Sequence, residues 1–144
     1  MVDQSAIQAA KEHFGQVLEG QLERVARLKE EGPWTDFGKI DPIVIGVLGG
    51  DGIGPTIVSE AQRVLEYLLR DQTKSGRVEF RTIHGLTIEN RAELLQAIPE
   101  DVLAEILKCH VTLKAPTHTP ERGDGWPNIE SANVAMRKVL DLFA

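Results

Sequence analysis

The amino-acid sequence predicts an α/β fold in which parallel strands alternate with helices. Three observations predict it. The short apolar run IVIGVL, residues 43–48, is bounded by turn residues, the pattern of a strand buried on both faces of a parallel sheet. GGDGIGP follows at once, and after it Ile57, Ala61, Val64, Leu65 and Leu68 recur at helical spacing. Beyond them the order strand, helices, strand continues, as crossover-connected parallel sheets require.

Element by element, residues 3–31 come first. Ile7, Phe14, Leu18, Leu22, Val25 and Leu28 repeat every three or four residues among charged ones, which predicts one amphipathic helix, loosened by Gly15 and Gly20. Such a helix either docks on its own domain or meets a partner subunit. EGPWTDFGKIDP then reads as a linker, so residues 1–41 form a helix-and-linker segment and residues 42–144 an α/β portion. Pro55 suits the first turn of the helix after the glycines, where a missing N–H costs nothing. VEFRTI (78–83) alternates as a strand does. NRAELLQAI and PEDVLAEILK predict two short helices, the second opened by Pro99, and CHVTL (109–113) a third strand, making three buried parallel strands. Met136, Val139, Leu140 and Phe143 form a core-facing stripe on a final helix.

Composition excludes several functions. A chain of 144 residues is sized for one domain that buries roughly two thirds of its unfolded surface. A net charge of −6 argues against nucleic acid as a partner, because binding to phosphate backbones needs clustered cations. No apolar run approaches the ~18 residues of a membrane helix. The acidic, polar beginning MVDQSAIQAAKEHF is unlike a secretion signal, and a single cysteine, Cys109, allows no disulfide framework. Both point to the cytoplasm.

GGDGIGP lies between a strand and a helix, where glycine-rich turns serve phosphates through backbone N–H groups and the helix dipole. Its spacing is G-x-G-x-G-P, however, and not G-x-G-x-x-G. The second strand ends in Ile83-His84, without the acidic residue that holds a ribose in a Rossmann site. The other reading of the glycines is a tight turn that lets strand and helix pack closely.

VLGGDGIGPTIVSEAQRVL resembles the opening of the decarboxylating dehydrogenases that act on isocitrate, isopropylmalate and related 2-hydroxy acids. Two further segments carry the resemblance: Lys114-Ala115-Pro116-Thr117-His118-Thr119-Pro120 is similar to the family's K-G-P-x-x-T-P loop, and Ser131–Lys138 to its S-x-N-V-x-x-R segment. The resemblance implies a non-Rossmann, partly parallel sheet flanked by helices, here its N-terminal part. It implies NAD or NADP as cofactor, with Thr117, His118, Thr119 and Ile53 on the cofactor side. It also implies Mg2+ or Mn2+ with ligands outside this chain, and a homodimer when complete.

Elementary chemistry supports the last segment independently. Asn133 and Arg137 are four apart on a helix and therefore share a face. Ser131 stands at its first turn, where unpaired N–H groups and the dipole favour negative charge. A carboxylate there meets a hydroxyl, an amide and a two-pronged guanidinium; in the other reading, Ser131 merely caps the helix and Arg137 is solvated. The resemblance places Ser131, Asn133, Arg137 and Lys114 on the substrate, and the polar pair Ser131 and Asn133 suits isocitrate, a 2-hydroxy tricarboxylate, better than isopropylmalate. Ala115 in place of glycine, His118, and the long stretch ERGDGWPNIE depart from the family pattern.

Oxidative decarboxylation needs a base, a divalent cation and an acid, and the sequence offers no set for them. Cys109 and His110, as strand neighbours, point to opposite faces; Asp51 and Asp124 sit in turns without companions. The resemblance implies that those groups come later in a longer chain. The final helix, with no Gly, Asn or Pro to close it, lacks a recognisable C-cap. The expected function is thus that of the N-terminal part of an isocitrate dehydrogenase, inactive alone. The alternatives are a non-catalytic carboxylate-binding or regulatory module and a small nucleotide-binding protein.

Overall fold

The structure is a computed structural model that describes residues 3–30 and 35–142. Glu31 of the expected first helix, Gly32, Pro33 and Trp34 of the linker and Phe143 of the C-terminal stripe lie outside them. The elements are α1 (Gln4–Glu30), β1 (Ile43–Leu48), α2 (Gly54–Leu68), α3 (Arg70–Lys74), β2 (Val78–Ile83), α4 (Ile88–Leu94), α5 (Glu100–Ile106), β3 (Val111–Lys114) and α6 (Ala132–Val139). They form two compact units, Met1–Asp36 and Phe37–Ala144.

In the first unit the Asp3 carboxylate caps α1, accepting from the N–H groups of Ser5 and Ala6 at 3.0 and 3.1 Å. The helix runs unbroken through Gly15 and Gly20, and none of its residues is buried. Phe14 is 68% exposed.

The second unit holds a parallel sheet in the order β2-β1-β3. Leu48, the last residue of β1, pairs with Ile83 on one side and Lys114 on the other. All three strands therefore end together, and the glycine turn, the 84–87 segment and the 115–120 loop leave the sheet at one edge. Successive β1 side chains face opposite ways. Leu48 joins Ile83, Leu86, Val102, Ile106, Ala132 and Met136 on one face; Val47 meets Val58 and Ala115 on the other. Helices thus cover both sides of β1.

The three strands are not equally buried, contrary to the reading of the sequence. Only β1 is buried almost throughout; β2 and β3 are the two edges of a three-stranded sheet and are partly exposed. The third strand also starts later, at Val111. Cys109 N–H instead closes α5 on Ile106 O at 3.0 Å, and the His110 ring accepts the Val44 N–H at 3.0 Å. Burial pushes the Cys109 thiol up, away from the thiolate a nucleophile needs.

Helix α2 follows the expected stripe only in part, with Ala61 and Leu65 half-buried. Gly54 and Val58 are buried, whereas Ile57, Val64 and Leu68 are exposed. At its first residue the helix approaches the preceding turn closely: a Cβ on Gly54 would lie 2.4 Å from Gly49 O. On α6, Ala132, Ala135 and Met136 are buried and Val139 is exposed.

The final helix does have a C-cap. Asp141 adopts φ 52°, its N–H donates to Lys138 O at 3.4 Å, and the Leu142 N–H donates to Arg137 O at 3.0 Å. This is the paired 5→2 and 6→1 closure of a Schellman motif, built on aspartate and not glycine. Leu95, with φ 53°, closes α4 in the same way, the Gln96 N–H donating to Arg91 O at 3.1 Å.

Candidate functional site

Three of the site candidates come together between β3 and α6. Lys114 is the last residue of β3, and Asn133 and Arg137 lie one turn apart on α6. All three line one cavity of about 550 Å³, walled by Ile106, Leu107, Val111, Met136 and Leu140 among others. Both Asn133 and Arg137 are exposed, and among the described residues neither side chain has a hydrogen-bond or ion-pair partner. The neighbouring cation is committed: Lys138 pairs with Glu130.

Ser131 occupies the N-cap of α6 but makes no capping bond with its side chain, and it does not line that cavity. Its hydroxyl is not spent on the helix, as a plain cap would be. The Lys114 ammonium donates to Ala115 O at 2.6 Å and Thr117 Oγ1 at 3.3 Å. Partial burial holds it below the usual lysine value, Asp51 opposing this and Arg91 adding to it.

Thr117, His118 and Thr119 lie on the loop after β3, and Ile53 lies at the N-cap of α2, 72% exposed. The loop is tied tightly to the glycine turn. A Cβ on Gly50, which has φ 64°, would fall 2.0 Å from Pro116 O, and Asp51 N–H donates to the same carbonyl at 2.8 Å. The close approach that glycine permits is therefore used by the chain's own backbone, which is the tight-packing reading of GGDGIGP. Ala115, the departure from the family glycine, is buried in the small cluster with Val47 and Val58, so its methyl has a place.

Asp124 has a titratable companion in His118, contrary to the reading of the sequence, whereas Asp51 meets backbone N–H groups. Asp51 Oδ1 accepts the Ile88 N–H at 2.8 Å and Oδ2 the His118 N–H at 2.6 Å. Asp124 Oδ2 accepts the Glu121 N–H at 2.7 Å and meets His118 Nε2 at 3.0 Å, while Oδ1 accepts the Trp126 N–H at 3.0 Å. The Asp51 partners are 37 and 67 residues away, a separation that no local spacing announces. The largest omission is Arg91, 0% exposed. Its helix carries the signal: Arg91 follows Ile88 by three residues, on the same inward face.

The family model for isocitrate/isopropylmalate dehydrogenase matches residues 44–144. The chain belongs to that family. Among its relatives, the NADP-type isocitrate dehydrogenase of Haloferax volcanii is 34% identical over 104 residues, covering 72% of this chain and 23% of that protein. That of Archaeoglobus fulgidus is 36% identical over 105 residues, covering 72% and 24%. Regulatory subunit 2 of the mitochondrial NAD-type isocitrate dehydrogenase of Arabidopsis thaliana is 33% identical over 114 residues, covering 78% and 26%. The chain thus spans about a quarter of the length of these relatives. No solved structure matches it.

The residues of this family member fit the family's ligands unevenly. Thr117, His118, Thr119 and Ile53 present two hydroxyls, an imidazole and an apolar chain. Of these, the Thr117 hydroxyl accepts from Lys114 at 3.3 Å and the His118 ring meets Asp124 at 3.0 Å. For a divalent cation the fit fails: no group of three His, Cys, Asp or Glu able to hold one occurs among the described residues. No helix is long and apolar enough to cross a membrane among them.

Proposed function

We propose that this chain supplies the carboxylate-binding part of an NAD(P)-dependent isocitrate dehydrogenase and turns nothing over alone. Lys114, Asn133 and Arg137 contact the substrate carboxylates, and Ser131 contributes its hydroxyl at the head of α6. The observation that carries this reading is the shared cavity: two cations and an amide from two different elements line one space, in a chain of this family. A tricarboxylate needs several donors at once, and charge-assisted bonds from a planar guanidinium are the strongest of them. Thr119, Thr117, His118 and Ile53 face the nicotinamide end of the cofactor, which accepts the hydride when bound. The metal and the acid/base groups come from sequence outside this chain, and the complete assembly is a homodimer in the cytoplasm.

Calorimetric titration of the 144-residue chain tests this. Isocitrate is expected to bind weakly, isopropylmalate more weakly, and Arg137→Ala is expected to reduce isocitrate affinity about ten- to a hundredfold, the loss of a charge-assisted bond. Equal affinity in Arg137→Ala would contradict the assignment.

A second reading has one observation in its favour: regulatory subunits stand among the relatives. In it the chain binds the carboxylate without catalysing and acts within a heteromeric assembly. Binding of the chain to a separate dehydrogenase chain, with a change in that enzyme's KM for isocitrate, would favour this reading over the first.

A further inference from the structure

Arg91 lies on α4, outside the three short motifs from which the family was read, and is completely buried. Its guanidinium donates to three carbonyls from three different segments: Nε to Ala97 O at 2.9 Å, Nη1 to His118 O at 2.8 Å and Nη2 to Glu130 O at 2.9 Å. Two of these acceptors immediately precede site residues, Thr119 on the cofactor side and Ser131 on the substrate side. No carboxylate bonds to it directly; burial lowers its pKa and Asp51 opposes that. A buried cation without a paired anion is costly, so it persists here only because the carbonyls hold it.

Asp51 completes the arrangement from the other side. His118 is held at both ends of its backbone, its N–H by Asp51 Oδ2 and its carbonyl by Arg91. The second Asp51 oxygen fastens the start of the same helix that carries Arg91, through Ile88 N–H. The glycine turn, α4, the 117–119 loop and Glu130, the residue before the N-cap of α6, thereby form one network.

We propose that Arg91 is a positioning residue, which with Asp51 fixes the spacing between the cofactor-side loop and the carboxylate-binding head of α6. This deepens the function proposed above and rests on it only for the ligand part of the test. The guanidinium fork sets three distances at once; a lysine ammonium, with no planar fork, cannot reproduce them.

Amide hydrogen exchange and chemical shifts in Arg91→Lys and Asp51→Asn, in the 144-residue chain, test the proposal. In Arg91→Lys the His118 carbonyl loses its charge-assisted bond, so the loop is expected to loosen and the His118 amide, held by Asp51, to exchange at least about tenfold faster. The Ser131 amide should shift, β1 amides should keep their protection, and isocitrate affinity should fall about tenfold. Asp51→Asn is expected to expose the His118 and Ile88 amides while leaving Ser131 in place, and it decides the matter if Arg91→Lys does not fold.

Unchanged His118 and Ser131 amides in Arg91→Lys would overturn the proposal. So would an equal rise in exchange across β1, since that marks a residue serving the core as a whole, and so would an Asp51→Asn chain with an undisturbed His118 amide. If the unaltered chain binds no isocitrate, the proposed function falls, and the amide results alone judge the clamp.

Discussion

Asp124 shows how much chemistry one side chain can hold in a loop. The N–H groups of Glu121 and Trp126 and the His118 ring stabilise its charged form, in that order, and hold its carboxyl below the ordinary aspartate value of 3.8. A depressed carboxylate contributes stability that is present above its unfolded pKa and lost as pH falls through its folded one. The 121–126 turn is therefore expected to stay closed at pH 4 and to open only in stronger acid. The Trp126 amide shift followed against pH checks this; a midpoint at or above the ordinary aspartate value would refute it. At this scale the sequence was legible where one residue type implies one geometry. Asn133 and Arg137, four apart, do line the same cavity. For Arg91 the spacing from Ile88 was the one signal, and the usual surface position of arginine on a helix outweighs it.

At the scale of elements, the turn after β1 invites a direct comparison of two glycines. Gly50 and Gly52 both have positive φ, 64° and 58°. A Cβ on Gly50 meets Pro116 O at 2.0 Å, whereas one on Gly52 meets nothing within 4 Å. Gly52→Ala carries backbone strain alone and should cost about 1–2 kcal/mol. Gly50→Ala adds a clash with rigid backbone and should cost clearly more, separating the turn from the 115–118 loop. Urea denaturation midpoints of the two variants measure the difference; equal midpoints would show that the approach to Pro116 does not matter. The existence of β1, β2, α2 and α6 was readable from period and turn residues. Their faces were less so: Ile57, Val64 and Leu68 of the expected α2 stripe are exposed. Closure of α4 and α6 was hidden as well, because leucine and aspartate occupy left-handed positions where glycine is the usual sign.

For the whole molecule, every buried hydrophobic residue among the described ones lies between Val44 and Met136, within the unit Phe37–Ala144. A chain of residues 37–144 alone is therefore expected to unfold cooperatively, with a thermal midpoint within a few degrees of the 144-residue chain. A broad, non-cooperative transition would show that α1 is needed for the core. The family could be read from three short motifs at ordered positions. What could not be read was how the segments between them lock those motifs together, since Asp51 and Arg91 act through backbone groups that any residue supplies.

The most direct measurement follows backbone and side-chain amide resonances of the 144-residue chain during titration with isocitrate at low ionic strength. Saturable shifts confined to Lys114, Ser131, Asn133 and Arg137 are expected, and they should vanish in Arg137→Ala while the fold persists. Shifts that map to the exposed face of α2, or no saturable shift at all, would contradict the carboxylate site.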